Sequence, residues 1–500
     1  MQRASAKRMR LAPASGYPAA RSGALDAPPA PTSIENIAMS LRHAAVPLLL
    51  VVALGLDATP ATADGFAATG SMITARQKAV ATPLADGRVL ITGGRISPAA
   101  MSKTRKAEIY DPATGTFAAT GDMLTARQDH NAVRLADGRV LVFNGGDLFA
   151  PLNGDPGTPA EIYDPATGTF SATAPLLVER DLGSATLLAD GRVLIAGGRG
   201  CGPCLDLGGG VSTLRDTEVV ELYDPQTGQF SAAGGMSSSR GLTALLPLAD
   251  GGAVVIGGYR ETVEEVDGEI RVVNEALATA ERFDPASAQF TLLAGTMVQG
   301  RAGHAAALLG DGRVLVAYGA LDVKMLPAPA AAELLDPATG QFSAIGAPLA
   351  DRPLFGLGVT LDDGRVLFAG GDQDQANTAD LIDVADGGAK RHLTMLRKHI
   401  YHVVAPLPGG RALVAGGLDP DNPPLPRGGA QVYEPDVVGD VLFADDFEAA
   451  PPAQIATGTL VDTDCRFALP PALRHAPPAV GERLLARRSS GERCSVRYAP

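Results

Sequence analysis

Two cysteines separated by Gly-Pro have the spacing that most directly implies chemistry in this sequence. Cys201 and Cys204 could act as a redox dithiol if a helix N-terminus lowered the pKa of one thiol. The segment that follows them is LDLGGGVS, with three glycines and no helical period. We therefore predict a local disulfide that stiffens a loop rather than redox catalysis. Cys465 and Cys494 form a second cluster, and the sequence leaves the pairing of the four cysteines open.

Three histidines recur at one phase of a repeated unit. Each stands three positions after the place of a recurring arginine, and we predict that they ring the mouth of a central channel, where imidazoles could bind a metal or a ligand. We favour the alternative that each fixes a loop by hydrogen bonds, because imidazoles from non-adjacent blades need not come within ligand distance of one another. The recurring arginines are more typical of a scaffold, because nearly every unit has one. The candidate ligand-binding residues are Arg127, His130, Arg301, His304, His402, Tyr259 and Tyr318.

No set of residues has the spacing of an established catalytic or metal motif. Glycoside hydrolysis needs a pair of carboxylates, and the recurrent carboxylates here are repeated and therefore scaffold-like. No loop has the ligand spacing of a calcium-binding EF-hand. We predict no catalytic residue, no metal and no cofactor, and so expect that the chain is not an enzyme.

The elements that must position these residues come from an internal repeat. Each unit reads as four short strands, with Asp-Gly turns after the first strand and turns such as DPATG after the third. Four antiparallel strands per repeat are typical of a propeller blade. The periods are near the 50 residues of a kelch unit. Seven turn-plus-strand signatures begin at Asp86, Asp137, Asp190, Asp250, Asp311, Asp363 and Pro408.

The last unit lacks a clear fourth strand, and the first unit is preceded by an orphan one. We predict that Phe66–Gly70 completes the seventh blade, which removes the open edge of a linear stack. The fold class is therefore all-β, a seven-bladed propeller closed by its N-terminal strand. Residues 64–437 resemble the kelch-repeat β-propellers in the Gly pair, the Tyr-Asp-Pro turn and the recurring arginines, which are Arg76, Arg127, Arg180, Arg240, Arg301 and Arg352.

The function expected from this organisation is binding. The second-to-third connections are long and unalike, and they share one face of the propeller, where binding usually occurs. We predict a module that recognises a protein or a carbohydrate there. The architecture also resembles that of the copper oxidases of the galactose oxidase type, which implies an alternative function. The loop face offers His304, His402, Tyr259, Tyr318 and Tyr401 for a copper site, although no residue matches that family by motif. A six-bladed sugar-epimerase-like enzyme is disfavoured by the blade count.

Composition and termini limit the class of protein. The net charge of −13 and the absence of a basic stripe argue against nucleic acid as a partner. We interpret residues 1–38 as a non-structural extension and 39–63 as a signal peptide, since its apolar run is too short to span a bilayer. Residues 438–500 are predicted to be a poorly ordered tail or a small appended segment. We therefore expect an exported monomer, extracellular or periplasmic, without a membrane span.

Overall fold

The computed structural model describes the repeat region of the chain. The described residues are 62–97, 102–145, 159–178, 180–206, 212–266, 269–320, 331–348, 357–370, 377–419 and 426–438, with strands at 459–463, 483–487 and 493–499. The chain divides into two compact units, Met1–Ala58 and Thr59–Pro500, and the first unit lies outside the described residues. The leader and its cleavage therefore stay predictions. Every regular element of the described residues is a β-strand.

The first strand of the chain, β1 (Thr62–Ala68), belongs to the last blade, and the next strands form blades 1 to 3. Blade 1 contains β2 (Val80–Pro83), β3 (Val89–Thr92), β4 (Ala107–Asp111) and β5 (Thr116–Ala119). Blade 2 contains β6 (Asn131–Arg134), β7 (Val140–Phe143), β8 (Glu161–Asp164) and β9 (Thr169–Ala172). A short strand, β10 (Arg180–Asp181), precedes blade 3. Along blade 3 the strands are β11 (Ser184–Leu187), β12 (Val193–Ala196), the inserted β13 (Arg199–Asp206) and β14 (Ser212–Asp216), then β15 (Val220–Asp224) and β16 (Gln229–Ala232).

Blades 4 to 7 repeat the same order. Blade 4 contains β17 (Ala244–Pro247), β18 (Ala253–Ile256), the inserted β19 (Tyr259–Val266) and β20 (Glu269–Ala276), then β21 (Thr279–Asp284) and β22 (Gln289–Thr296). Blade 5 contains β23 (Ala305–Leu308), β24 (Val314–Ala317), β25 (Ala331–Asp336) and β26 (Gln341–Pro348). Blade 6 contains β27 (Leu357–Thr360), β28 (Val366–Ala369), β29 (Thr378–Asp383) and β30 (Ala389–Thr394). Blade 7 contains β31 (Val403–Leu407), β32 (Arg411–Ala415) and β33 (Ala430–Val438).

The ring closes as the sequence predicts. Strand β1 pairs antiparallel with β33, with Phe66 opposite Tyr433, so blade 7 has the order β1-β33-β32-β31. The innermost strands β2, β6, β11, β17, β23, β27 and β31 contact one another in that order, and β31 contacts β2. The all-β, seven-bladed propeller is therefore confirmed.

The hydrophobic core is divided among the seven junctions between blades. Each of the seven clusters combines buried side chains of two neighbouring blades, including the junction of blade 7 with blade 1. The second strand of every blade is buried on both faces, which explains its uninterrupted apolar run. The blades are thus held by lateral packing, with the inner strands lining the axis.

Short turns hold one end of each blade. After β2 the chain reverses at Asp86, whose carboxylate accepts hydrogen bonds from the backbone and side chain of Arg88. After β4 the Asp111 carboxylate accepts from Ala113 N, 2.8 Å away. These two turns recur around the ring, so the opposite end of the blades is where the chain varies.

Two of the long connections are hairpins, which our sequence analysis treats as loops. Strands β19 and β20 pair over eight residues each, and β13 pairs with β14 and with β10. The sequence contains the signal for the first hairpin, because Asp-Gly at 267–268 stands between two alternating runs. The side chains of Cys201 and Cys204, in β13, and of Cys494 lie outside the described residues, as does Cys465. The predicted disulfides therefore stay predictions.

The tail contains one small sheet. Strands β34 (Thr459–Thr463), β35 (Arg483–Arg487) and β36 (Arg493–Ala499) pair in the order β34-β36-β35. The rest of 439–500 lies outside the described residues. Across the part of the chain that the structure describes, no helix is long and apolar enough to cross a membrane.

Candidate functional site

Six residues, one from each of six blades, form a ring at the channel entrance on the face of the long connections. Each precedes an inner strand, and each has a left-handed backbone, with φ between 47° and 58°. Backbone hydrogen bonds link neighbours in the ring, from Lys78 N to Tyr401 O at 2.9 Å and from Asp129 N to Lys78 O at 3.2 Å. We call this set the mouth ring; its members are Lys78, Asp129, Leu182, Leu242, Gly303 and Tyr401.

The mouth ring lies beside the long connections because of a second set of contacts. In blades 1, 3, 4, 5 and 7, the residue before the ring position bridges to the residue that follows the Gly pair or its equivalent, as in Gln77 with Arg95 and Gly241 with Tyr259. The hairpin β19–β20 starts at Tyr259 and therefore rises next to Leu242. Channel entrance and variable connections thus share one face.

Three polar members of the ring contact one another. The Lys78 ammonium lies 3.0 Å from a carboxylate oxygen of Asp129 and 5.1 Å from the centroid of the Tyr401 ring. Gln128 Nε2 donates to the same carboxylate at 3.4 Å. Tyr401 is 43% exposed, whereas the Lys78 and Asp129 side chains are 18% and 20% exposed. A cation, an anion and a partly exposed aromatic ring therefore meet at the entrance.

The opposite arc of the ring is apolar. Leu182 and Leu242 follow in blades 3 and 4, both half-buried, and Gly303 has no side chain. Gly303 N donates to Leu242 O at 3.0 Å, which is a link of the same kind between blades 4 and 5. The entrance is consequently amphipathic, with polar groups from blades 7, 1 and 2 facing leucines from blades 3 and 4.

The backbone of the mouth ring is strained where the side chain is not glycine. A left-handed conformation costs a non-glycine residue on the order of 1 kcal/mol, and five of the six members have this cost. Strain of this kind concentrates at functional sites. A position that is equivalent in six blades, strained in five of them, and occupied by charged, aromatic and apolar side chains is what a ligand contact in a repeat protein would show.

The predicted histidines lie one residue beyond this ring, directly after Asp129, Gly303 and Tyr401. Each imidazole is buried next to the Gly pair of the preceding blade. A methyl group built on Gly257 would lie 2.7 Å from His304 Cε1. His130 Nε2 bonds Thr92 Oγ1 at 2.7 Å, and His402 Nε2 lies 3.1 Å from Ala369 O. They occupy three separate junctions, so the predicted ring of histidines is wrong.

These histidines do not fit copper. Burial lowers the pKa of His130, His304 and His402 to about 3, and in the first two the Arg127 and Arg301 guanidinium charges contribute to that shift. The same guanidinium charges would repel a metal cation. The unpaired nitrogens, Nδ1 of His130 and of His402 and both nitrogens of His304, are enclosed at three different junctions. Among the described residues no group of three His, Cys, Asp or Glu side chains could hold a metal.

The predicted arginines Arg127 and Arg301 are buried parts of the blades. Arg127 pairs with Glu161 at 3.2 Å and Arg301 with Glu333 at 3.0 Å, and neither side chain is exposed by more than 1%. The carbonyl of Arg301 also accepts from Gly258 N of the preceding blade. These contacts are structural, because they hold the connection to its blade and the blade to its neighbour. Neither residue belongs to the candidate site. The same ion pair recurs in blades 1, 3 and 4 as Arg76–Glu108, Arg180–Glu221 and Arg240–Glu281.

The two predicted tyrosines are also buried. Tyr259 lies at the base of the β19–β20 hairpin. Tyr318 has φ 61° at a place where most blades have glycine, and its hydroxyl donates to Asp380 at 2.6 Å. His392 Nδ1 lies 2.8 Å from the other oxygen of Asp380. This cluster joins blades 5 and 6, and it is separate from the mouth ring.

Sequence reasoning missed Lys78 and Asp129. The position two residues after the recurring arginine varies from unit to unit, but the positions on either side of it vary as much, so no signal in the sequence singles it out. The sequence alone does not say that this residue, rather than the next one, faces the channel.

Comparisons with known proteins identify the fold but no family. No protein-family model and no curated protein matches the chain. A solved fungal alcohol oxidase of the AA5 family, in complex with copper, aligns with a TM-score of 0.55 and 13% identity, covering 87% of this chain and 93% of that chain. At this identity the likeness shows the fold alone. The kelch assignment therefore stays a prediction.

The comparison corrects one expectation. We predicted that the chain is not an enzyme, yet the propeller that shares its fold is an alcohol oxidase. This comparison contradicts the prediction that the chain is not an enzyme, and we withdraw that prediction.

Proposed function

We propose that this chain recognises a carbohydrate at the mouth ring. The observation that supports the proposal is the meeting of Lys78, Asp129 and the exposed ring of Tyr401 at the channel entrance. Sugars present an apolar face of C–H groups and an edge of hydroxyls. An aromatic ring covers the first, and a carboxylate accepts hydrogen bonds from the second, so Tyr401 and Asp129 match both surfaces.

The geometry favours a rigid recognition site. The ring backbone is held by hydrogen bonds between blades, and each blade is fixed by a buried core. A ligand that binds there does not have to order the backbone of the entrance first, which reduces the entropic cost of binding. The half-buried side chains of Leu182 and Leu242 offer an apolar contact for a second, less polar part of the ligand.

Tyr401→Leu tests the carbohydrate site. The substitution keeps an apolar side chain and removes the aromatic face, and we expect affinity for a bound oligosaccharide to fall about tenfold. Binding is measured first on a panel of immobilised glycans and then by calorimetry with the best binder. Thermal unfolding of both proteins shows that the variant is folded.

Arg313→Gln is the matched control. Arg313 is half-exposed and pairs with Asp311 in a short turn, at the other end of a blade. Equal losses in Tyr401→Leu and Arg313→Gln would contradict a site at the mouth ring. Glycan binding that neither variant changes would do the same.

A second candidate is an alcohol oxidase, and the specific observation in its favour is the fold shared with the AA5 oxidase. The described histidines do not fit copper, so a copper centre would need ligands beyond them. The test is the copper content of the chain after incubation with copper, with oxygen consumption on primary alcohols. About one tightly held copper per chain with oxygen consumption would establish this candidate, and a folded chain that retains no copper would remove it.

A further inference from the structure

Lys78 occupies a site that is itself complementary to an ammonium group. Its nitrogen lies 3.0 Å from Asp129 Oδ2 and 5.1 Å from the centroid of the Tyr401 ring. A carboxylate at one side and an aromatic face at another are the two features by which proteins recognise amines. The three residues come from blades 1, 2 and 7, so the ring brings them together rather than the local sequence.

The Lys78 ammonium can leave its place between Asp129 and Tyr401, so that another ammonium group can take it. It ends a flexible four-carbon stem, and its side chain keeps a solvent-exposed fraction of 18% at the entrance. Its only rigid part is the backbone, which donates to Tyr401 O and accepts from Asp129 N. Rotation of the stem would free the carboxylate and the aromatic face without disturbing the ring.

We propose that the mouth ring selects carbohydrates that carry a protonated primary amine, and that the ligand's ammonium replaces that of Lys78 between Asp129 and Tyr401. The inference rests on the carbohydrate-binding function proposed above and names its ligand class, an amino sugar that is not acetylated. Lys78 holds the site in the free protein and competes with the ligand.

The charge of the surrounding chain supports a cationic ligand. The net charge is −13, which attracts cations over distances longer than contact. The hairpin β19–β20 rises beside the mouth ring, and residues 259–276 include six acidic and two basic side chains. A polycation would therefore be drawn to this face before any amine reaches Asp129.

The test compares two oligosaccharides that differ only in acetylation. An oligomer of glucosamine and the N-acetylglucosamine oligomer of equal length are titrated into the full chain at about pH 6, where the free amine is protonated. We expect the glucosamine oligomer to bind at least about tenfold more tightly. Lys78→Met should raise that affinity several-fold because the competitor is gone, and Asp129→Asn should lower it about tenfold.

Lys106→Met is the control for the change of charge. Lys106 is exposed, and its ammonium lies 3.0 Å from a carboxylate oxygen of Asp122. The variant therefore removes a lysine–aspartate ion pair of the same length outside the mouth ring. We expect it to leave both affinities within about twofold of the unmodified protein.

The outcomes distinguish the preference for an amine from carbohydrate recognition itself. Equal or tighter binding of the acetylated oligomer, still weakened by Tyr401→Leu, would overturn the amine preference and keep carbohydrate recognition. Weaker binding of the glucosamine oligomer by Lys78→Met would also overturn the inference, because Lys78 would then be a donor to the ligand. Binding of neither oligomer nor of any glycan on the panel would remove both proposals.

Discussion

At the scale of single residues, the propeller uses equivalent positions for different purposes. His130, His304 and His402 fill the space beneath a Gly pair, and the residue just before each belongs to the mouth ring. Glycine is required at these pairs for two reasons. Gly257 has φ 59°, and a Cβ there would lie 2.5 Å from the carbonyl oxygen of Arg301. Packing and recognition are thus assigned to adjacent residues of one short segment.

The buried histidines make the unfolding free energy of the chain decrease at acidic pH. Their pKa is about 3 in the folded chain and 6.5 when exposed, so below pH 6.5 the unfolded chain binds more protons. Their stabilising effect is complete above pH 6.5 and declines as the pH falls toward 3. Each histidine should contribute a slope of about 1 kcal/mol per pH unit in this window. We expect His130→Gln to reduce the slope of unfolding free energy against pH, measured with urea.

Tyr401→Leu provides the comparison for this experiment, since the change adds or removes no group that titrates between pH 4 and pH 6.5 in ordinary surroundings. Its stability curve should run parallel to that of the unmodified chain. A His130→Gln curve that also runs parallel would show that His130 is not the buried neutral imidazole described above.

At the scale of elements, an ion pair fixes the connection to its blade in blades 1 to 5. The glutamate of the third strand accepts hydrogen bonds from backbone N–H groups of the preceding connection, as Glu108 does from Ile73 at 2.7 Å. It also pairs with the arginine that begins the inner strand. Burial lowers the pKa of the Arg301 guanidinium, and the Glu333 charge opposes that shift. Blade 7 replaces both partners with neutral ones, His399 and Gln431, which keeps the charges balanced.

The balance of buried charges between Arg301 and Glu333 predicts the effect of Arg301→His. The single change leaves Glu333 buried without its partner, and we expect a loss of about 3–5 kcal/mol in unfolding free energy. The double variant Arg301→His/Glu333→Gln copies blade 7 and should recover more than half of that loss. Urea unfolding followed by circular dichroism measures both variants. A double variant as unstable as the single one would contradict the balance of charges.

At the scale of the whole molecule, one strand determines whether the ring is closed. Strand β1 brings Asp64 into contact with blades 6 and 7, where its carboxylate lies 2.8 Å from Arg365, 2.6 Å from Arg391 and 2.9 Å from the Tyr433 hydroxyl. Burial raises the pKa of Asp64, but the hydrogen bonds and charges of these partners outweigh it and lower the pKa. Closure therefore depends on a polar anchor in addition to the pairing of β1 with β33.

Asp64→Asn tests this anchor. The amide cannot balance the charges of Arg365 and Arg391, and we expect the unfolding free energy to fall by about 1–3 kcal/mol. Hydrogen exchange should increase first in β1 and β33, because they form the seam. Asp86→Asn, in an exposed short turn, is the control and should change stability by less than about 1 kcal/mol. Uniform exchange changes across all blades would argue against a local seam.

The sequence by itself determines the number, order and closure of the blades. Alternating apolar residues and Asp-Gly or Asp-Pro turns specify each strand locally, and seven copies in phase leave one arrangement of the strands. It also indicates the face of the long connections. What it does not determine is the direction of side chains at the entrance, so our prediction chose the histidines instead of Asp129 and Tyr401.

Only the tertiary structure decides the candidate site, for a physical reason. Whether a residue faces the channel or a junction depends on the rotation of the inner strand, and contacts with the neighbouring blades fix that rotation. Lys78 meets Tyr401 only because the ring closes and makes blade 7 the neighbour of blade 1. Local sequence encodes each blade, whereas the proximity of residues from different blades exists only in the closed ring.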